Sequence, residues 1–201
     1  MGAGAFRRFE AYVEFIKGDI VEIGSERGEG STRYLADMAM RNNLTFYSID
    51  FEKEAYERAK KIIGDNAFQM LGEDFLDRYE GSKDKIGFAY LDNFDFEYPH
   101  LVGSDLIKNQ KALYNKYEIE LNNENSKAVH LLQTKKVVKY ADDICIILFD
   151  DTYINEQGIY DGKGGTAVPY LLKEGWNILD SQLHGPFLTQ YVTLINQEVE
   201  K

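Results

Sequence analysis

Acidic residues follow short apolar runs at five places in the sequence, and together they could form a binding site. They are Glu22, Asp50, Glu73-Asp74, Asp92 and Asp150-Asp151. Ligands of open α/β sheets bind outside the carboxyl ends of the parallel strands. Helix N-capping accounts for some acids at such positions, but acids at five strand ends are more than capping usually explains. We therefore predict that these carboxylates line a ligand site.

A glycine-rich stretch follows the first of these acids. Ile20–Ile23 has the composition of a buried strand, glycines stand at positions 24, 28 and 30, and a helical pattern begins at Ser31. A strand, a glycine turn and a helix in this order place backbone N–H groups and a positive helix end beside a ligand. Glycine spacing is a weak signal on its own, so a tight turn without a ligand is the alternative.

The ligand that these residues favour is a nucleoside without phosphates. Asp50, after the second strand, suits hydrogen bonds to ribose hydroxyls. Glu22, Glu26 and Glu29 crowd the turn and disfavour a pyrophosphate, whereas the cationic nucleoside S-adenosylmethionine (SAM) fits. Glu22 would then face the amino-acid end of SAM, and Glu73-Asp74 the edge of its adenine. The predicted cofactor-binding residues are Glu22, Gly24, Ser25, Gly28, Ser31, Asp50, Phe51, Glu73, Asp74 and Asp92.

At these positions the chain resembles the class I SAM-dependent methyltransferases, and the resemblance covers nearly its whole length. The segments are Val-Glu-Ile-Gly-x-x-x-Gly at 21–28, Tyr-Ser-Ile-Asp at 47–50, Gly-Glu-Asp at 72–74, Tyr-Leu-Asp-Asn-Phe at 90–94 and Leu-Phe-Asp-Asp-Thr at 148–152. The last two are similar to the metal-dependent O-methyltransferases of catechol type and macrocin type. Glu26 departs from the family, in which a glycine often stands at this position.

Three of the acids suit a metal ion. Asp92, Asp150 and Asp151 offer the hard oxygen ligands that Mg²⁺ prefers. A divalent cation at two acceptor oxygens lowers their pKa and holds one of them in line with the methyl group of SAM. The alternative is that these acids only cap a turn and a helix.

Asp95 and His130 are the predicted catalytic bases. The resemblance to the catechol type implies a lysine three residues after the first metal acid, where this chain has Asp95. His130 has a side chain whose ordinary pKa lies near neutral pH. The run Gly162-Lys163-Gly164-Gly165 lacks the spacing of a phosphate-binding loop, and we interpret it as a flexible loop at the same end of the sheet, able to cover the substrate.

The elements that would position these residues alternate between strands and helices. Strands are predicted at 19–23, 45–49, 68–71, 86–91, 144–149, 177–183 and 189–196, and helices at 6–16, 31–40, 53–63, 126–140 and 167–173. This alternation predicts an α/β fold with a parallel sheet. The family resemblance implies a doubly wound, Rossmann-like sheet of seven strands, mostly parallel with an antiparallel last strand and helices on both faces. Residues 98–125 are interpreted as an insertion, either a lid or an oligomer contact.

Composition limits the classes of function. The 201 residues suffice for a single domain spanning 1–201, and a net charge of −11 argues against nucleic acid as a partner. The one cysteine, Cys145, excludes an intrachain disulfide. The N-terminus lacks a signal-peptide core, and no apolar run approaches the roughly 18 residues of a membrane span. We expect a soluble, cytoplasmic protein that does not bind membranes.

The sequence therefore favours a SAM-dependent methyltransferase with Mg²⁺ that O-methylates a small hydroxylated metabolite, a sugar or a phenolic compound. Two alternatives stay open, because a fold does not fix a function. One is an oxidoreductase or hydroxylase on the same scaffold, and the other is a nucleotide-binding module without catalysis. A small-molecule substrate is expected in either enzyme, and a homo-oligomer through residues 98–125 is the open alternative to a lid.

Overall fold

The apolar runs of the sequence form one seven-stranded sheet with helices on both faces. A computed structural model describes Phe6 and residues 9–25, 30–79, 81, 85–184 and 189–197. The strands are β1 (Asp19–Ile23), β2 (Phe46–Asp50), β3 (Ala67–Gln69), β4 (Ile86–Leu91), β5 (Ala141–Asp150), β6 (Thr152–Ile154), β7 (Tyr160–Gly162), β8 (Asn177–Gln182) and β9 (Tyr191–Ile195). The helices are α1 (Ser31–Arg41), α2 (Lys53–Ile63), α3 (Gly72–Asp77), α4 (Asp105–Asn115), α5 (Asn123–Lys139) and α6 (Ala167–Lys173).

The order of the strands in the sheet is β3-β2-β1-β4-β5-β9-β8. Neighbours from β3 to β5 pair in parallel, and β9 pairs antiparallel with both β5 and β8. The predicted fold class, with its antiparallel last strand, is confirmed. Because β1, β2, β4 and β5 are parallel, the acids that follow them lie at one edge of the sheet.

Both faces of the sheet are buried, which explains why its central strands are continuous apolar runs. In β4, Phe88 and Tyr90 pack on the face covered by α1, whereas Ala89 and Leu91 face α3, α5 and α6. The same alternation in β1 sends Ile20 to the α1 face and Ile23 to the other. Hydrophobic burial on two sides therefore fixes the register of every strand that carries a candidate site residue.

The structure differs from the sequence-based prediction in two places. Residues 158–165, expected to be a loop, contain β7, which pairs antiparallel with β6 so that Thr152 lies opposite Gly162. The predicted leading helix at 6–16 is helical at Phe6, Phe9 and Glu10, but its second half is a turn followed by a 3₁₀ turn at Val13–Phe15. Residues 7 and 8 lie outside the described residues. The short β6–β7 hairpin returns the chain to the end of β5.

The segment at 98–125 is built around α4, which covers the carboxyl edge of the sheet. The side chain of Ser104 caps this helix by accepting a hydrogen bond from the backbone N–H of Ile107 at 3.3 Å. Phe94, Tyr114 and Leu121 then form a small apolar cluster that joins α4 to the end of β4. No helix in the described ranges is long and apolar enough to cross a membrane.

Candidate functional site

Two adjoining cavities lie at the carboxyl edge of the sheet. One, of about 310 Å³, is lined by Ile23, Gly24, Ile49, Asp50, Phe51, Met70, Leu71, Gly72, Glu73, Asn93, Phe94, Glu118, Ile119, Asn125, Ala128 and Val129. The other, of about 360 Å³, is lined by Gly24, Ser25, Asp50, Phe51, Glu52, Asp92, Asn93, Phe94, Asp95, Leu106, Gln110, Leu113, Tyr114, Asp150, Asp151 and Lys163. We call the first the inner cavity and the second the acidic cavity. They share Gly24, Asp50, Phe51, Asn93 and Phe94, so one elongated ligand can occupy both.

Gly24 directly follows β1 and lines both cavities. Its φ of +90° lies in the left-handed region, where residues other than glycine are strained. A Cβ at this position would collide with the backbone nitrogen of Asn93. Glycine therefore allows the ends of β1 and β4 to approach each other and leaves bare backbone facing a ligand.

Asp50 ends β2 and lies on the wall shared by the cavities. Its Oδ1 accepts a hydrogen bond from the backbone N–H of Glu52 at 2.8 Å, and its Oδ2 accepts one from the Ser25 hydroxyl at 3.2 Å. Burial raises the pKa of Asp50 to about 7, against the lowering effect of these hydrogen bonds. The carboxylate is thus held in one orientation, with acceptor capacity left for a ligand hydroxyl.

The inner cavity is mostly apolar, with a polar edge at Glu73. Phe51, Leu71 and Val129 contribute apolar walls. The Oε2 atom of Glu73 accepts a hydrogen bond from the side-chain amide of Gln133 at 2.9 Å, which fixes this carboxylate at the cavity edge. Such a slot, apolar with an acceptor at one edge, suits a purine base. Asp74, the neighbour of Glu73, is not among the lining residues.

Glu22 and Ser31 are brought together behind the cavity wall rather than in it. The Glu22 carboxylate is fully buried and accepts hydrogen bonds from the hydroxyls of Ser31 (2.6 Å), Thr32 (2.7 Å) and Ser48 (2.6 Å). Burial raises its pKa to about 7, although the three hydroxyls act in the opposite direction. Glu22 therefore ties the first turn of α1 to the sheet. Gly28, also predicted to bind cofactor, lies outside the described residues.

Asp92, Asp150 and Asp151, the three acids proposed from the sequence as metal ligands, lie together in the acidic cavity. One carboxylate oxygen from each lies within 4.8 Å of the others. Tyr90 Oη lies 2.6 Å from Asp92 Oδ2 and 3.3 Å from Asp150 Oδ2, and the Tyr98 hydroxyl donates to Asp151 Oδ1 at 3.0 Å. Burial, together with the charges of Asp92 and Asp151, raises the pKa of Asp150 well above its ordinary range.

Lys163 is the site residue that the sequence interpretation missed. Its Nζ lies 2.6 Å from Asp92 Oδ1 and 3.2 Å from Asp151 Oδ2, and its side chain is only 3% exposed. Burial alone would lower its pKa, but the charges of Asp92, Asp151 and Asp150 raise it well above the ordinary value. The available sequence signal was one lysine among the glycines of the loop that follows Asp150-Asp151.

The two predicted bases occupy different surroundings. Asp95 lines the acidic cavity, and its backbone N–H donates to Tyr114 Oη at 2.8 Å. His130 is fully buried and lines neither cavity. Its Nδ1 lies 2.8 Å from the backbone oxygen of Ser126, and its Nε2 has no hydrogen-bond partner among the described residues. Burial and then the charge of Lys163 lower the pKa of His130 to about 3, which makes it a weak base.

Backbone strain is concentrated at this edge of the sheet. Phe94 (φ 52°), Glu118 (φ 59°) and Asp151 (φ 45°) adopt left-handed conformations that residues other than glycine rarely take. All three line one of the cavities. Strained backbone persists where the surrounding packing holds it, and it is common at binding sites.

The strand order, with β9 inserted antiparallel between β5 and β8, is the fold of the class I SAM-dependent methyltransferases. The sequence matches no protein-family model and no curated protein. Among solved structures, an O-methyltransferase from Bacillus cereus in complex with SAH has a TM-score of 0.54 at 15% identity, covering 97% of this chain and 80% of that one.

Two further structures show the same likeness. The O-methyltransferase TomG from Streptomyces achromogenes, involved in tomaymycin synthesis and solved with SAM, has a TM-score of 0.53 at 12% identity, covering 97% of this chain and 80% of that one. An rRNA methylase from Streptococcus thermophilus has a TM-score of 0.54 at 11% identity, covering 97% of each chain. At such identities the likeness establishes the fold.

Proposed function

We propose that the protein is a SAM-dependent methyltransferase that methylates a hydroxyl group of a small acceptor, a sugar or a phenolic compound. The observation that carries the proposal is the pair of adjoining cavities that share Asp50 and the turn at Gly24. Solved proteins of the same fold include O-methyltransferases whose structures contain SAM or its product SAH. The elongated shape of the joined cavities suits a cofactor at one end and an acceptor at the other.

The cofactor would occupy the cavities in a defined direction. Its adenine would lie in the inner cavity between apolar walls, with Glu73 at the edge, and its ribose hydroxyls would donate to Asp50. Its sulfonium would then reach the acidic cavity past Gly24 and Ser25, where the carboxyl groups of Asp92, Asp150 and Asp151 outnumber the one ammonium of Lys163. A positive sulfonium is attracted to this end of the site, whereas a pyrophosphate is repelled.

Methyl transfer would take place in the acidic cavity. The acceptor oxygen attacks the methyl carbon while the bond from carbon to sulfur breaks, and the electron pair of that bond stays on sulfur to give SAH. The acceptor hydroxyl must also lose its proton, and Asp95, which lines this cavity, is the proposed base. Positioning of the two reactants supplies much of the rate acceleration in such a displacement.

Mg²⁺ was predicted from the three acids, but the described donor set does not fit a preformed ion site. The Lys163 ammonium pairs with two of the acids, Asp92 and Asp151, and tyrosine hydroxyls contact all three. Only Asp150 Oδ1 has no hydrogen-bond partner among the described residues. The proposed reaction therefore contains no metal-dependent step.

An aromatic surface beside the acidic cavity supports a ring-shaped acceptor. The rings of Tyr98 and Tyr153 stack with centroids 5.8 Å apart and line a third cavity of about 600 Å³. Asn155, Asp161 and Gln190 add hydrogen-bonding groups to its wall. Tyr98 also contacts Asp151, so this surface adjoins the acids. Aromatic faces beside amides and carboxylates suit the faces and hydroxyls of a sugar or phenolic ring.

Calorimetry with a matched pair of variants tests the proposed cofactor. We expect SAM and SAH to bind more tightly than NAD, and Asp50→Asn to weaken SAH binding by about 1–3 kcal/mol because a charged hydrogen-bond acceptor is lost. The control is Asp65→Asn, which neutralises an exposed carboxylate in the turn after α2. NAD binding that equals or exceeds SAM binding in the unmodified protein would instead favour the oxidoreductase alternative.

A further inference from the structure

The acidic cavity already contains a cation, supplied by the chain itself. The Nζ atom of Lys163 contacts three oxygens: Asp92 Oδ1 at 2.6 Å, the backbone oxygen of Asp92 at 3.2 Å and Asp151 Oδ2 at 3.2 Å. An ammonium group has three N–H donors, whereas a neutral amine has two. The three acceptors therefore match a protonated lysine and use all of its donors.

The β6–β7 hairpin places this lysine beside the acids. The backbone N–H of Lys163 donates to the backbone oxygen of Asp151 at 3.0 Å, across the β6–β7 hairpin. Gly162, at φ +81°, permits this approach, because a Cβ there would collide with the same oxygen of Asp151. The hairpin that begins after the acids thus ends by placing the ammonium between two of them.

The remaining carboxylate contacts complete the arrangement. Tyr90 lies between Asp92 and Asp150, and Tyr98 donates to Asp151, so each acid contacts at least one protein donor group. Removing one partner from a buried ion pair leaves an uncompensated charge in the interior. This destabilises a protein far more than the loss of an ion pair at the surface. Without Lys163, Asp92 and Asp151 would lack their counter-charge.

We propose that Lys163 is the built-in cation of this site: its ammonium occupies the place expected for a divalent ion and holds Asp92 and Asp151 as a metal-independent unit. Lys163 is therefore a positioning residue for the acids at the methyl-transfer end of the cavity. Its placement is independent of the reaction, and only the link to methyl transfer rests on the proposed function.

Manganese is the probe that tests this inference, since free Mn²⁺ is counted directly by electron paramagnetic resonance. We expect the unmodified protein to bind no Mn²⁺ at the acids up to millimolar concentrations. Lys163→Met, which keeps the length of the side chain and removes its charge, should raise Mn²⁺ affinity by about 100-fold or more, because a like charge about 4 Å away is removed. Lys163→Met with Asp150→Asn should lose that gain.

Two control variants test whether a gain in Mn²⁺ affinity comes from losing the positive charge of Lys163 rather than from substituting any lysine. Lys163→Arg keeps a cation and should not gain Mn²⁺ binding. Lys127→Met removes a lysine that pairs with Asp161 of β7, outside the three acids, and should behave as the unmodified protein. Circular dichroism establishes that each variant is folded. If Lys163→Met does not fold, the inference is tested by the Mn²⁺ titration of the unmodified protein and of its Asp150→Asn variant.

Two outcomes overturn the inference. One is Mn²⁺ binding by the unmodified protein that Asp150→Asn abolishes, and the other is a folded Lys163→Met protein with no gain in Mn²⁺ affinity. A separate SAH titration of the unmodified protein tests the proposed function. Failure of SAH to bind, together with the expected Mn²⁺ pattern, would refute the methyltransferase proposal and leave the role of Lys163 intact.

Discussion

Single residues at the carboxyl edge of the sheet differ in whether they face the cavities or the packed interior. Glu22 precedes Ile23 in β1, and strand alternation sends their side chains to opposite faces. Ile23 lines the inner cavity, whereas Glu22 is buried against the first turn of α1 and Ser48 of β2. A carboxylate at a strand end can therefore stabilise the packing of helix and sheet while the next residue lines the cavity.

The burial of Glu22 predicts a pH dependence of stability. Its pKa rises from 4.5 to about 7 on folding, so the folded state binds its proton more tightly than the unfolded state. The resulting stabilisation is complete below pH 4.5 and is lost as the pH rises through 7. Between pH 5 and pH 8 this amounts to about 2–3 kcal/mol in the free energy of unfolding.

Glu22→Gln tests this prediction, because the amide cannot ionise and still hydrogen-bonds to the surrounding hydroxyls. Urea unfolding at pH 5, 6, 7 and 8 should show a smaller decline in the free energy of unfolding for the variant than for the unmodified protein. Glu54→Gln, at a side chain of α2 that is 80% exposed, is the control. Parallel curves for the unmodified protein and Glu22→Gln would contradict the prediction.

At the scale of elements, α4 forms the outer wall of the acidic cavity through Leu106, Gln110, Leu113 and Tyr114. It also contacts the inner cavity, because Phe51 packs edge-to-face on Tyr114 with centroids 5.3 Å apart. Both observations favour the lid interpretation of residues 98–125. The oligomer contact predicted as its alternative stays a prediction.

Limited proteolysis tests whether α4 responds to the ligand. A cofactor that packs on Phe51 stabilises the wall behind it, so SAH should slow trypsin cleavage severalfold after Lys108, Lys111 and Lys116. Cleavage after Lys60 and Lys61, in the last turn of α2, is the internal control and should slow less than cleavage in α4. Equal rates at α4 with and without saturating SAH would exclude a ligand-dependent lid.

At the scale of the whole molecule, the fold was predictable because its signals are local. The apolar run of β4 ends at Leu91 and the next residue is Asp92, so strand and acid are adjacent in the sequence. The position of Lys163 depends instead on the register of the β6–β7 hairpin, in which Thr152 lies opposite Gly162. The glycine-rich sequence around Lys163 does not predict this pairing, because it lacks the alternation of apolar residues that specifies a register. The role of Glu22 likewise depends on which helix covers its face of the sheet.

SAH binding should stabilise the molecule as a unit, since its proposed site joins β1, β2, β4 and α4. At a concentration about 100 times its dissociation constant, a ligand specific for the folded state adds about 2.7 kcal/mol. For a chain of this size that corresponds to a rise in melting temperature of about 5–10 °C. The rise should persist in EDTA, because Lys163 rather than a divalent ion supplies the positive charge beside Asp92 and Asp151. Scanning calorimetry with SAH, with SAH and EDTA, and with NAD as control measures it. If SAH does not raise the melting temperature, the proposed cofactor is wrong. If SAH raises it only in the absence of EDTA, a metal ion takes part in binding, which contradicts the role assigned to Lys163.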